Sequence, residues 1–130
     1  MSNIGGLEGS ITFFYYDDLA KAAEFYSEIM GFETVVDVEF AKVYKISEGS
    51  HVGIVDGNIG SMKPTEDKPV MFTVIVDDAD SWYKYLQEKG VDVEGPPRVP
   101  EYLEMKVFLL RDTEGYVLEI LEWLKKPYGH

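Results

Sequence analysis

The chain contains no cysteine and no apolar run long enough to span a membrane. The first absence excludes disulfide bonds and thiolate chemistry, and it suits a cytoplasmic protein. A membrane helix needs about 18 or more consecutive apolar residues, and an export signal needs a basic segment followed by an apolar one. Neither pattern is present. We therefore expect a cytoplasmic protein without a membrane anchor.

Basic residues are scarce: 12 Lys and Arg stand against 24 Asp and Glu, which gives a net charge of −12 at pH 7. Residues 1–60 carry 10 acids and 3 bases, and residues 61–130 carry 14 and 9, so no single tail holds the charge. Such a surface repels phosphate backbones and anionic membranes. We expect no nucleic-acid and no membrane partner. A charged ligand would be a cation, although the charge could also serve solubility alone.

Apolar residues make up 45% of the chain and aromatic residues 14%, which is enough for a substantial core in 130 residues. The run from Ser10 to Tyr16 is β-branched and aromatic and predicts a strand. Asp18 then supplies an N-cap, and apolar residues recur at helical spacing until Gly31, a residue suited to a helix end. Three more strands are predicted at 33–38, 42–46 and 51–55.

The same pattern returns 60 residues later, with Asp77-Asp78 in the place of Asp17-Asp18. A strand is predicted at 70–76, and a helical stripe runs from Ala79 to Gly90. Further strands are predicted at 91–94, 102–110 and 116–121, and a proline-rich turn at 95–100.

This repetition predicts an α+β fold made of two tandem βαβββ modules. The first module spans 1–59, the polar segment 60–68 is a linker, the second module spans 69–124, and 125–130 form a tail.

A four-stranded sheet with one helix leaves its other face uncovered, and two such faces can curve around a common cleft. By strand parity, six residues face this cleft: Ile11, Phe13, Tyr15, Met71, Thr73 and Ile75. Glu119 lies among apolar residues in the last strand. An unpaired carboxylate in such a place is costly, so it lies at an open edge or serves a ligand.

Four segments resemble the vicinal oxygen chelate superfamily, which includes glyoxalase I, extradiol dioxygenases, and the fosfomycin and bleomycin resistance proteins. The first helix of that family begins and ends on sequences similar to Asp18–Tyr26 and Ile29–Phe32. The opening of its second helix is similar to Asp77–Tyr83, and its final turn and strand to Arg111–Ile120. The resemblance implies the tandem βαβββ fold over nearly the whole chain.

Catalytic members of that family hold a divalent metal at four inward positions, usually His, Gln or Glu. Carried over residue by residue, these positions fall on Ile11, Gly53, Met71 and Glu119. Only Glu119 could bind a hard or borderline cation, whereas even open catalytic sites use about three protein ligands. We therefore expect no metal and no cofactor, and a chain closest in character to the bleomycin-resistance branch, leaning away from catalysis.

That branch, by resemblance, lacks the metal ligands, is acidic, and binds a cationic aromatic drug in an aromatic-walled cleft. We expect a cationic or aromatic small molecule here, because aromatic faces attract cations and acidic rims steer them. The expected ligand-binding residues are Phe13, Tyr15, His51, Met71, Thr73, Tyr102, Glu104, Phe108 and Glu119. The resemblance also implies a homodimer, and the loop Pro96–Pro100 is a candidate lid.

Three alternatives stay open. The first is a glyoxalase-type or dioxygenase-type metalloenzyme with relocated ligands, in which His51 and Glu119 join Glu104 or a tyrosine. The second is a metal-free isomerase or epimerase with Glu119 as general base and Tyr15 or Tyr102 as proton donor. The third is an accessory domain that only assembles with another protein.

Overall fold

The computed structural model describes residues 4–128 of the 130-residue chain. The chain divides into two compact units, Met1–Thr65 and Glu66–His130, and the division falls inside the segment predicted as a linker. Each unit contributes one four-stranded sheet and one helical segment to the described residues. The predicted α+β class and tandem arrangement are confirmed. The predicted tail at 125–130 lies partly outside the described residues.

The first unit is a strand, a helix and three further strands. Its elements are β1 (Ser10–Tyr16), α1 (Leu19–Glu24), a π-helical turn (Phe25–Ile29), β2 (Glu33–Val38), β3 (Ala41–Ser47) and β4 (Ser50–Asp56). The sheet order is β1-β4-β3-β2, with β1 parallel to β4 and the other pairs antiparallel. The carboxylate of Asp18 caps α1 by accepting a hydrogen bond from the Lys21 amide at 3.1 Å. Gly31, at φ +73°, ends the helical segment as predicted.

The core of the first unit lies between the helical segment and one face of its sheet. Phe14 and Tyr16 are buried on either side of the half-buried Tyr15 in β1, and Tyr26 and Tyr44 are buried and stacked in the same core. The Tyr16 hydroxyl donates to the Tyr26 hydroxyl at 3.2 Å, so these buried phenols are not left unsatisfied. Truncating such an aromatic to Ala costs about 3–5 kcal/mol.

The second unit repeats this order. Its elements are β5 (Met71–Ile75), α2 (Ala79–Glu88), β6 (Asp92–Arg98), β7 (Met105–Arg111) and β8 (Val117–Trp123). The sheet order is β5-β8-β7-β6, with β5 parallel to β8. Asp78 caps α2 by accepting from the Ser81 amide at 3.1 Å and from the Ser81 hydroxyl at 2.7 Å. Leu86 of α2 is fully buried, as are Leu118 and Ile120 of β8.

Two boundaries differ from the sequence prediction. The segment Gly95–Arg98, predicted as a turn, continues strand β6, because β6 is an edge strand and an edge tolerates residues without an amide hydrogen. Strand β7 begins at Met105 rather than at Tyr102, which lies in the preceding loop with φ +68°. No helix within residues 4–128 has the length and apolarity that a membrane crossing requires.

Candidate functional site

The sheet of the first unit has one face that its helical segment does not cover. Ile11 and Phe13 lie on this face, 47% and 43% exposed, and Tyr15 lies there half-buried, as strand parity predicted. The Tyr15 hydroxyl shares a hydrogen bond of 3.3 Å with Ser61. The face therefore presents large apolar and aromatic side chains to the surroundings of the first unit.

The ring of Phe13 covers Gly53, its partner on the neighbouring strand. A β carbon built on Gly53 would clash with the ring carbons of Phe13. No side chain fits at position 53 unless Phe13 moves. One of the four carried-over metal positions is thus filled by an aromatic ring.

His51 lies two residues before Gly53 on β4 and is half-buried. Its register partners are Ile11 on β1 and Lys45 on β3. The Lys45 ammonium pairs with the Glu48 carboxylate at 3.2 Å. His51 therefore has an apolar residue on one neighbouring strand and an ion-paired lysine on the other.

The uncovered face of the second sheet carries the polar pair of the candidate site. The Thr73 hydroxyl donates to Glu119 Oε1 at 2.9 Å, and the two residues are register partners on β5 and β8. Both are half-buried. The other carboxylate oxygen, Oε2, has no hydrogen bond and no ion pair with any residue from 4 to 128.

Apolar side chains surround this pair. Met71 and Ile75 flank Thr73 on the same face of β5, 52% and 53% exposed. Leu109 is the partner of Glu119 on β7. A half-buried carboxylate with one oxygen held and apolar neighbours is suited to a ligand group that donates a hydrogen bond or carries a positive charge.

Three predicted ligand residues lie elsewhere. Phe108 is on the helix-covered face, 2% exposed, and meets Tyr83 edge to face at 5.3 Å. Its predicted place on the uncovered face is wrong, because Val107 and Leu109 occupy that face of β7. Tyr102 is 95% exposed in the loop before β7. Glu104 lies in the same loop, where its carbonyl oxygen accepts from the Leu124 and Lys125 amides.

The predicted lid also needs correction. Pro96 and Pro97 belong to β6, and Arg98 pairs with Val107. This half of the Pro96–Pro100 segment is therefore held in the sheet and is not a free loop.

The residues do not fit the family's metal site. Ile11 and Gly53 have no ligand atom in a side chain, Met71 has only a soft thioether sulfur, and the ring of Phe13 fills the space at Gly53. In the described part of the chain, no three His, Asp or Glu residues lie close enough together to hold a metal ion. Glu119 is the only one of the four residues with an oxygen ligand in its side chain, and its Oε1 already accepts a hydrogen bond from Thr73.

An acidic depression of about 590 Å³ in the first unit was missed from the sequence. Its carboxylates are Asp17, Asp18, Glu39 and Asp56. Lys42 also lines it and pairs with Asp37 at 2.7 Å. The adjacent aspartates at 17 and 18 were the available signal, but only the fold brings Glu39 and Asp56 beside them.

Comparisons with known proteins place this arrangement in a family. A model of the Glyoxalase/Bleomycin resistance protein/Dioxygenase superfamily matches residues 10–120. The chain belongs to this superfamily. A search of curated proteins finds no match.

Solved structures of the glyoxalase superfamily share the fold. A glyoxalase/bleomycin resistance protein/dioxygenase from Nocardioides has a TM-score of 0.74 at 17% identity, over 100% of this chain and 92% of its own. A lactoylglutathione lyase from Agrobacterium tumefaciens has a TM-score of 0.69 at 23% identity, over 86% and 90%. A glyoxalase-related enzyme from Fulvimarina pelagi has a TM-score of 0.75 at 18% identity, over 92% and 91%. These identities establish the fold and do not distinguish branches of the glyoxalase superfamily.

Proposed function

We propose that this glyoxalase-superfamily chain binds a small organic cation with an apolar or aromatic body, without a resident metal, and that Glu119 anchors the cation. The observation that carries the proposal is the geometry of the Thr73–Glu119 pair. One carboxylate oxygen is fixed by a hydrogen bond of 2.9 Å, and the other has no partner among the described residues.

The surroundings of Glu119 strengthen its attraction for a cation. Charge-assisted hydrogen bonds are about twice as strong as neutral ones, and they gain strength where water is partly excluded. Met71, Ile75 and Leu109 supply such surroundings and also a contact surface for an apolar ligand body. A protonated amine with an aromatic ring satisfies both requirements.

The first unit offers an aromatic contact of its own. The ring of Phe13 lies over Gly53 and stays 43% exposed. An exposed aromatic face attracts a cation by about 0.5–1 kcal/mol. Phe13 and Tyr15, with His51 at their edge, are the contact surface that we propose for the first unit by itself.

The test compares tryptamine with indole-3-propionate, which have the same ring and opposite charge. Tryptamine at 100 times its dissociation constant should stabilise the folded protein by about 2.7 kcal/mol. Indole-3-propionate should have no effect. Glu119→Gln should abolish the tryptamine effect, and Glu88→Gln, an exposed change of equal charge at the end of α2, should leave it intact.

Two results would overturn the proposal. One is an equal effect of tryptamine on the wild type and on Glu119→Gln. The other is about one metal ion per chain that survives purification and is lost in both His51→Ala and Glu119→Gln, which would favour a metalloenzyme with relocated ligands.

We also propose that the chain forms a homodimer. The exposed apolar residues Ile11 and Met71 support an association that covers part of them. Light scattering should then give a mass of twice 14.8 kDa, and a mass of 14.8 kDa at every protein concentration would contradict the proposal.

A further inference from the structure

A groove of about 490 Å³, the β6 groove, lies in the second unit between strands β6 and β7. Its walls include Pro96, Pro97, Val107 and Leu109, and Glu94 and Arg98 also line it. Leu109 also neighbours Glu119, but neither Thr73 nor Glu119 lines the groove.

The groove results from a mismatch in strand register. Glu94 pairs with Leu109 and Arg98 pairs with Val107, so a four-residue step on β6 lies opposite a two-residue step on β7. The two extra residues bow outward, as in a β-bulge. Pro96 and Pro97 have no amide hydrogen and cannot complete the ladder there.

The bulge is fixed from the helix side. Gly95 lies against the ring of Tyr83, which itself meets Phe108 edge to face at 5.3 Å. A β carbon on Gly95 would clash with the Tyr83 ring. The groove is therefore a packed feature of the sheet, and its walls do not depend on a loose loop.

The two ends of the β6 groove carry opposite charges. Glu94 and Arg98 are both exposed, and neither side chain has a hydrogen bond or ion pair with any residue in the described range. A step of two residues along β7 covers about 7 Å, and four fully extended residues of β6 would cover about 13 Å. The backbones of Glu94 and Arg98 are therefore separated by a distance between these two limits. The space between the ends is lined mainly by apolar side chains.

We propose that the β6 groove binds a small linear zwitterion, with its ammonium group at Glu94, its carboxylate at Arg98 and its apolar body against Pro96, Pro97 and Val107. Arginine suits this role because its planar fork accepts a carboxylate in two parallel hydrogen bonds. An ω-amino acid or a short apolar peptide has the required separation of charges. A free α-amino acid does not, because both of its charged groups are on one carbon. A ligand of zero net charge is not repelled by the acidic surface.

The experiment is a titration of the nitrogen-labelled protein, followed through its amide chemical shifts. The probes are glycine, γ-aminobutyrate, ε-aminocaproate and ω-aminocaprylate, whose charges move progressively apart, together with hexylamine and caproate, which keep one charge each. The two longest amino acids should shift the amides of Glu94, Gly95, Arg98 and Val107–Leu109. Glycine should not shift them. Hexylamine and caproate should bind roughly two- to fivefold more weakly than ε-aminocaproate, the range that exposed ion pairs allow.

Variants assign each end of the ligand. Arg98→Gln should weaken ε-aminocaproate and caproate while leaving hexylamine unchanged, and Glu94→Gln should weaken ε-aminocaproate and hexylamine while leaving caproate unchanged. Lys84→Gln and Glu88→Gln make the same changes of net charge outside the groove and should change nothing.

The proposal is overturned if neither long amino acid shifts the groove amides, or if the shifts centre on Glu119. It is equally overturned if Arg98→Gln and Lys84→Gln give the same affinities.

Discussion

The aromatic ring of Phe13 lies across Gly53, its register partner in the parallel pair of β1 and β4. The ring takes the volume that a side chain at position 53 would occupy. This relationship explains why glycine is suited to the middle of β4, where it normally weakens a strand. It also removes one metal-binding position by packing.

The first prediction concerns this pair. Gly53→Ala should lower the free energy of unfolding in the wild type, because the new methyl group displaces the Phe13 ring. In a Phe13→Ala background the same change should instead stabilise by about 0.5–1 kcal/mol, since alanine restricts the unfolded chain more than glycine. Urea denaturation of the four proteins measures both steps. The same sign in both backgrounds would show that the ring does not restrict position 53.

The second prediction concerns the support of Glu119. Thr73→Val keeps the shape of the side chain but removes the donor to Glu119 Oε1. Hydrogen bonds to charged groups contribute about 1.5–3 kcal/mol, and partial exposure reduces this, so we expect a loss of about 1 kcal/mol. Denaturant titration at neutral pH measures it.

Thr73→Ser is the matched control and should retain most of the stability, because the hydroxyl remains. In a Glu119→Gln background, Thr73→Val should lower the free energy of unfolding by less than it does in the wild type. A full cost in that background would mean that the threonine acts through packing rather than through the carboxylate.

The third prediction concerns acid. The Ser81 hydroxyl, and after it the Ser81 amide, lowers the pKa of Asp78 at the start of α2. A lowered pKa in the folded state adds stability above the ordinary aspartate pKa of about 3.9, and this stability is lost as the pH falls through the folded pKa. Asp78→Ala should therefore lower the melting temperature at neutral pH, and the difference from wild type should narrow as the pH falls below the ordinary aspartate pKa of about 3.9.

Asp77→Ala, a change of equal charge one residue earlier, serves as its control and should alter the melting temperature much less. Thermal melts over a pH series test both variants. A difference for Asp78→Ala that stays constant from neutral pH to acid would contradict the capping role.

The fourth prediction concerns alkali. Burial, and then the charge of Asp37, raises the pKa of Tyr44 above its ordinary value. The stability that protonated Tyr44 contributes is fully present below the ordinary tyrosine pKa of about 10. It is lost as the pH rises from there through the pKa of Tyr44 in the folded protein. Tyr44→Phe should therefore lose less stability than wild type between neutral and strongly alkaline pH. At neutral pH the variant should be slightly less stable, because the hydroxyl donates to the Ala23 carbonyl at 3.4 Å.

Urea denaturation at each pH, with tyrosinate absorbance followed in parallel, gives the measurement. If Tyr44→Phe and wild type lose stability in parallel above pH 10, Tyr44 ionises freely in the folded protein.

Local signals in the sequence were sufficient for much of the fold. β1 alternates between buried Phe14 and Tyr16 and exposed Ile11 and Phe13, so its period of two identifies the covered face directly. Asp18 and Asp78 cap their helices because each carboxylate accepts a hydrogen bond from a backbone amide of the first turn. These features depend on residues that are close together in the sequence, so they can be predicted from the sequence alone.

Other features depend on neighbours in space. β7 reads Val107, Phe108, Leu109 and Leu110, an unbroken apolar run, so its pattern does not reveal which face is covered. The misplacement of Phe108 follows from that ambiguity. Pro96 and Pro97 predict a turn unless the strand is known to be an edge, and edge position comes from the pairing order. The Thr73–Glu119 contact likewise requires the parallel pairing of β5 with β8.

All six residues of β2 are exposed, and β3 is its only partner in the sheet of the first unit. Strands of this kind, rich in valine and open along one edge, are where copies of a protein stack into fibrils. Glu33, Asp37 and Glu39 lie along this strand and its end, so two such edges repel one another at neutral pH. Salt screens that repulsion, and the chain should then become more prone to aggregation through this edge.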